Sequence, residues 1–220
     1  MLKFYYNKRS PMARRVWRGL LEKQIDFEPV VMNLNGDQMQ PDYLELNPFH
    51  HVPVIVDNGF RIIESLAILD YLEAKYPVPA LLPKEPTALA KVKMAQLVSS
   101  NELLPKAISL IFEDKDSPKY IQAQEHINNV FKFFTATLGK SLYFGGDTLS
   151  LADIVVGTDI SLLVKSGFNL GDYPKLSDWY ERLMQREVWQ NTELNAEEFE
   201  QFKRVFTIIQ RKKIKQASKL

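Results

Sequence analysis

Few side chains in this sequence are equipped for chemistry, and their types limit what that chemistry can be. Cysteine is absent, which excludes a disulfide scaffold, thiolate metal sites and a cysteine nucleophile. Any sulfur chemistry has to use a sulfur that arrives with a ligand. Imidazole can come only from His50, His51 and His126, with no HExxH string among them, so no metal site is expected. Hydroxyls stand at two helix starts. Ser10 directly precedes Pro11, a serine cap with proline at the first helical position, and Ser150 stands three residues before Asp153. The last ten residues hold Arg211, Lys212, Lys213, Lys215 and Lys219 and no acid. Such a basic tail can touch an anion or a membrane surface, although most ends of this kind are simply solvated.

The chain that must position these groups has 220 residues, 45% hydrophobic and 25% charged. Those are globular proportions, not disordered or fibrous ones, with room for one large domain or two small ones. Lys and Arg total 28 against 27 acids, a net charge of +1, so no global field draws the protein to nucleic acid. Met1–Tyr6 lacks the basic-then-apolar order of a signal peptide. No apolar run approaches the roughly 18 residues of a spanning helix. A soluble, cytoplasmic protein without integral membrane association is expected.

Residues 2–6 read as an aromatic-rich strand, followed by a helix from the Ser10 cap to about Lys23, with Val16, Leu20 and Leu21 at helical spacing. Phe27–Met32 reads as a second strand with Pro29 at an edge, and 34–47 as loop with a weak helical turn around Pro41–Leu46. Val54–Asp57 and Phe60–Ile63 flank Asn58-Gly59, a strong hairpin signal, and a helix from Leu66 to Tyr76 follows. Pro77, Pro79, Pro83 and Pro86 mark a linker. Beyond it the patterns are helical only: Thr87–Phe112 with a break near Pro105, Pro118–Leu138, Ser150–Ser166, Pro174–Arg186 and Ala196–Lys213. Ser150-Leu151-Ala152-Asp153 is a capping pattern, with Leu149 and Ile154 placed for a hydrophobic staple. Loss of Asp153 is expected to cost about 0.5–2 kcal/mol through that cap.

A βαβ-ββα half, a proline-rich linker and an all-helical half resemble the soluble glutathione transferases. The resemblance is carried by Ser10-Pro11 with Arg15-Val16, by Asn47-Pro48-Phe49-His50-His51-Val52-Pro53-Val54, by Glu64-Ser65-Leu66-Ala67-Ile68 and by Ser150-Leu151-Ala152-Asp153, in this order over nearly the whole chain. The serine and the Asn-Pro-Phe string look most like the serine-type branches (phi, tau, theta and bacterial relatives). The fold implied is α/β plus all-α: a thioredoxin-like glutathione-binding domain over 1–77, a linker over 78–87 and a helical domain over 88–220 with the basic tail.

The same resemblance implies a site map with glutathione as cosubstrate and no metal. Ser10 is the expected catalytic residue, its hydroxyl donating to the glutathione sulfur. Tyr6 is the alternative, since other branches use a tyrosine near the end of strand one. A cis Val52–Pro53 bond would turn the Val52 backbone toward the tripeptide. Glu64 and Ser65 would take the γ-glutamyl end, helped by a helix N-terminus. His51 and Gln38 would take the glycine end, with His50 in a minor role. Gln38 stands where phi-like members have a histidine. Arg15 matches an arginine that often supports the site, and Arg14 and Arg18 beside it also read as surface charges with one structural salt bridge. Leu103, Ile108, Ile111, Phe112 and Phe206 are the expected electrophile pocket.

The function implied is conjugation of glutathione thiolate to a small hydrophobic electrophile such as an aryl halide, an isothiocyanate or a peroxide, by a homodimer. The alternative is a non-catalytic interaction module of the same fold. Zeta-type isomerases carry a Ser-Ser-Cys string at the first helix where this chain reads Lys8-Arg9-Ser10-Pro11, which sets an isomerase below the transferase reading.

Overall fold

The computed structural model describes residues 1–217, with side chains as far as Ile208. The basic tail from Arg211 lies outside the described side chains. Strands β1 (Leu2–Tyr6), β2 (Glu28–Val31), β3 (Val54–Asp57) and β4 (Phe60–Ile63) form one sheet in the order β2-β1-β3-β4. β2 runs parallel to β1 with Lys3 opposite Glu28, while β3 and β4 are antiparallel additions. Pro29 therefore sits on the edge strand, where a missing N–H costs no ladder bond. Asn58 and Gly59, at φ 50° and 85°, make the tight primed turn that matches strand twist.

Helix α1 (Pro11–Glu22) and α3 (Ser65–Lys75) pack side by side on the sheet. Val16, Leu20, Ile68, Leu69 and Leu72 close one core with Phe4 and Ile55. A Cβ on Gly19 would lie 2.4 Å from Leu69 Cδ2, so the absent side chain is what lets the two helices approach. The short α2 (Pro41–Leu46) lies beyond a 3-10 turn over Asp37–Met39, and its Tyr43 fills a second core with Ala13, Met32, Val52 and Val54.

The proline-rich segment after α3 is tied at its middle to both α3 and Leu151. Glu73 accepts from Leu81 N and Leu82 N at 2.9 and 3.2 Å, and Leu81 O accepts from Leu151 N at 2.9 Å. Beyond it come α4 (Pro86–Val98), α5 (Leu104–Phe112), α6 (Pro118–Leu138), α7 (Leu151–Lys165), α8 (Pro174–Met184), α9 (Glu187–Thr192) and α10 (Ala196–Ala217). Helix α7 is buried all round from Leu151 to Leu163, the mark of a helix inside a core. Asp153 does more there than cap. Its carboxylate accepts from Ser150 N (2.7 Å), Ser150 Oγ (2.6 Å), Phe144 N (3.0 Å) and Trp179 Nε1 (2.7 Å). A cost of 0.5–2 kcal/mol for its loss is thus too low, because two of these donors belong to other segments.

The break expected near Pro105 falls just earlier, as a π-turn over Ser99–Leu103. One residue more per turn rotates everything after it by about 100° relative to a regular helix. That rotation decides which leucine faces the site.

Candidate active site

Ser10 caps α1, its Oγ accepting from Ala13 N at 3.3 Å. Among the described residues nothing accepts the proton of that hydroxyl. It opens on a cleft of about 330 Å3 whose walls come from four segments. The first is Arg9–Met12, the second Leu34 and Gln38, the third His50–Val52. The fourth is helical: Leu104 and Ile108 of α5, and Phe202, Val205 and Phe206 of α10. Among the described residues no carboxylate lines the cleft. Its charged or chargeable groups are Arg9, His50 and His51, at the end where the α1 N-terminus adds partial positive charge.

The third wall is held by its own side chains. The Val52–Pro53 bond is cis. His51 O accepts from Tyr43 Oη at 2.7 Å and from Asn47 Nδ2 at 2.8 Å, and Asn47 Oδ1 accepts from Phe49 N at 3.0 Å. Burial pushes the Tyr43 phenol well above its usual range, with Tyr5 adding to it, so it stays a donor. His50 sits at φ 59°, a left-handed conformation that the Asn47 contacts hold in place. Gln38 reaches the cleft with its Nε2 donating to Leu34 O at 2.9 Å and its Oε1 buried without a partner.

Other expected residues are placed elsewhere. Glu64 and Ser65 lie outside the cleft walls, at the start of α3, next to the Val54–Ile63 pair that follows Pro53. Glu64 has φ 67° and ψ 116°, strain of the kind that clusters at ligand clamps. Tyr6 faces away. Its ring stacks on Phe4 with centroids 4.6 Å apart and borders a separate recess with Lys8 and Glu198. Leu103 is fully buried in the core and Leu104 takes the expected place in the wall, the consequence of the π-turn's rotation. Ile111 and Phe112 do not line the cleft either. They pack behind it, Phe112 stacked on Phe206 at 4.7 Å. Ile108 and Phe206 stand in the wall. Phe202 and Val205, which the sequence reading did not include, join Phe206 in the wall at i, i+3, i+4 spacing.

The arginines of α1 are not surface charges. Arg14, Arg15 and Arg18 are at most 2% exposed. Arg15 pairs with Asp159 of α7 and donates to Ser100 Oγ at 3.0 Å, while Ser99 Oγ donates to Asp159 at 2.6 Å. Arg18 pairs with Glu193, donates to Thr158 and Thr192 at 2.9 Å each, and lies 3.9 Å over the Trp189 ring. Burial pushes the Asp159 carboxyl up despite Arg15. Burial also raises Glu193, but Arg18 and Arg14 overcome it and hold that carboxyl below its usual value. This network bolts α1 to the helical half.

Comparison with known proteins agrees with the fold. A family model for the glutathione S-transferase N-terminal domain matches residues 4–84, and one for the C-terminal domain matches 71–187. The chain belongs to the glutathione S-transferase family, enzymes that take glutathione as substrate. It is 33% identical over 190 residues to the mouse (Mus musculus) maleylacetoacetate isomerase, covering 83% of this chain and 87% of that one. It is 32% identical over 206 residues to glutathione S-transferase hmp2 of Hypomyces subiculosus, covering 86% and 96%. Among solved structures, a delta-class glutathione transferase of Nilaparvata lugens superposes with a TM-score of 0.81 at 26% identity, over 94% of this chain and 99% of that one. An epsilon-class transferase of the housefly, Musca domestica, superposes at 0.80 with 26% identity, over 94% and 98%.

Proposed function

We propose that this enzyme conjugates the glutathione thiolate to apolar electrophiles, with Ser10 as the residue that holds the thiolate, as in the serine-type branches. The observation that carries the reading is the Ser10 hydroxyl at the N-terminus of α1, its proton uncommitted, opening on a cleft whose far wall is Leu104, Ile108, Phe202, Val205 and Phe206. A free thiol has a pKa near 8.5 and is mostly protonated at neutral pH. Each unit of lowering stabilises the anion by about 1.4 kcal/mol, which a hydroxyl donor and a helix terminus together supply. The thiol proton leaves to solvent. The sulfur lone pair forms the new C–S bond as the leaving group departs with its bonding electrons.

In this reading the Val52 backbone, turned by the cis bond to Pro53, pairs with the cysteinyl unit of glutathione. Glu64 and Ser65 hold the γ-glutamyl end. His51 takes the glycine carboxylate, with Gln38 contributing its second amide N–H. Residues 1–77 form the glutathione-binding domain, 78–87 the linker and 88–220 the helical domain. The protein works in the cytoplasm as a homodimer. Phe49 and Phe60 in the first half, and Met94 and Leu97 on α4, are 46–62% exposed, apolar area of the kind a partner copy covers.

The identity with the mouse isomerase favours a second reading, glutathione-dependent isomerisation. There the thiolate adds reversibly to a conjugated double bond, the π electrons pass to the enolate, the resulting single bond rotates, and the enolate expels the thiolate to restore the double bond. Both readings need the same thiolate, so one experiment tests its source. Conjugation to an aryl halide, isomerisation of a cis-enedione acid and the absorbance titration of the bound thiol are compared for wild type, Ser10→Ala and Tyr6→Phe. Ser10→Ala is expected to raise the bound thiol's pKa and remove most turnover, with Tyr6→Phe near wild type. The reverse pattern overturns the serine assignment, and turnover of the enedione alone overturns conjugation in favour of isomerisation.

A further inference from the structure

The loop that presents Ser10 is tied on both sides. Toward the sheet, Asn7 Nδ2 donates to Met32 O at 2.8 Å, and Asn7 Oδ1 accepts from Arg9 N at 2.9 Å and Arg9 Nε at 3.3 Å. Toward the helical half, Lys8 pairs with Glu198, and Arg9 donates to Gln201 Oε1 at 3.3 Å. Glu198 also closes the start of α10. It accepts from Asn195 N at 3.1 Å while Asn195 Oδ1 accepts from Glu198 N at 2.9 Å, the reciprocal box of a well-capped helix. One turn further, Phe202, Val205 and Phe206 form the apolar wall over the cleft. Beside these polar ties, α10 packs on α5 through the ring cluster of Phe112, Phe202 and Phe206, and Phe199 and Phe202 share a buried cluster with Leu162 of α7 and Leu194.

We propose that Lys8 and Glu198, with Arg9 and Gln201 beside them, are positioning residues that latch α10 to the Ser10 loop and so set the closed form of the cleft for an apolar ligand. The latch rests on the reading of this cleft as the electrophile site. None of the four side chains needs to touch the reacting atoms. They act through the Phe202–Phe206 wall. The Lys8 side chain is half exposed and that of Glu198 17% exposed, so the pair is strong enough to bias a helix and weak enough to release it. Screening by salt should therefore loosen the wall, even for a ligand that carries no charge.

The test is equilibrium binding of Nile red, a neutral apolar dye, to the full-length protein at low salt and at about 1 M salt, where the Debye length falls to about 3 Å. Wild type is expected to bind the dye about two- to fivefold more weakly at high salt, the range of an exposed ion pair. Lys8→Gln and Glu198→Gln are expected to match wild type at high salt and to lose the salt dependence, and Lys8→Arg to recover it. Glu198→Gln keeps an acceptor for Asn195 N, so helix capping is preserved. In turnover, Lys8→Gln should raise the KM for an aryl halide and leave that for glutathione unchanged. Dye affinity independent of salt in wild type, or unchanged salt dependence in Lys8→Gln, overturns the latch. So does an absence of dye binding. Failure of conjugation alone counts against the transferase reading and leaves the binding result to decide the latch.

Discussion

Arg14 and Arg18 are one helical turn apart, both fully buried, and should respond to the same substitution with opposite signs. Arg18 has four partners: Glu193, two threonine hydroxyls and the Trp189 face. Among the described residues Arg14 finds no hydrogen-bond partner for any of its three nitrogens, and the carboxylate oxygen of Glu193 is 4.0 Å away. Burial first, and Arg18 second, lower the Arg14 guanidinium from its ordinary value to about 10, net of the attraction of Glu193 and Asp159. At about 1.4 kcal/mol per pH unit, holding that charge in the folded protein costs about 3 kcal/mol. Methionine has nearly the length of the arginine stem, fills irregular space and brings no charge. Arg14→Met should thus stabilise by about 1–3 kcal/mol, the lower figure allowing for imperfect repacking. That is a gain of a few degrees in Tm for a chain of this size. Arg18→Met strips Glu193 of its main partner and should cost about 3–5 kcal/mol. Urea titration followed by the fluorescence of the buried Trp179 and Trp189 reads both. An Arg14→Met protein that loses as much as Arg18→Met would refute the reasoning, because Arg14 would then have to be bonded, for example to buried water.

Two further substitutions separate local from tertiary contributions. Asp153→Ala orphans Phe144 N, Ser150 N and Trp179 Nε1, and at about 1–3 kcal/mol per buried unpaired donor should cost about 4 kcal/mol or more in urea titration, against about 1 kcal/mol if the carboxylate only capped α7. Glu193 is held below its ordinary value of 4.5, so its stabilisation is complete above about 4.5 and is lost as pH falls through the lower folded value. The stability difference between wild type and Glu193→Gln should be constant from neutrality to about pH 5 and shrink below it. Asp159, shifted the other way by burial, is common to both proteins and drops out of the difference.

What the sequence made legible was written in short-range chemistry. Ser10-Pro11, Asn58-Gly59 and Ser150 with Asp153 each determine a cap or a turn from residues within four positions, and each lies where its spacing puts it. Helix α10 was readable from its start, but of its three wall residues only Phe206 was expected in the cleft. The features that misled are non-local. Nothing in Ser99-Ser100-Asn101-Glu102-Leu103 announces a π-turn. It exists where Ser99 and Ser100 reach Asp159 and Arg15 on other helices, and it exchanges Leu103 for Leu104 in the cleft. Three arginines within five residues read as a solvated face because charge is ordinarily outside. Their partners, Asp159, Thr158, Thr192 and Glu193, are about 140 residues or more away in sequence, beyond any local pattern. Tyr6 and Ser10 are both near the end of β1, and only the direction of each side chain separates them.

Helix α1 carries two functions that constrain each other. Its first turn presents the Ser10 hydroxyl and a positive terminus to the cleft, and its next turn and a half hold Arg15 and Arg18, which bolt the sheet half to α7 and to the segment after α9. A catalytic hydroxyl is useful only if it stays within a fraction of an ångström of the sulfur it serves. A lone N-cap on a helix that rocks against its sheet would not keep that position. Arg15 and Arg18 stop the rocking from one side and the close contact of Gly19 with Leu69 stops it from the other, while Asn7 and the Lys8–Glu198 pair restrain the loop just before the cap. Removing Arg18 should then act twice, lowering stability through the buried network and lowering turnover through a misplaced Ser10. Arg14→Met, which breaks no bond, should leave turnover where it was. A helix anchored by charge along its buried face and capped by the hydroxyl proposed to hold the thiolate would link the stability of the interface between the halves to the geometry of the cleft, through residues that do not line it.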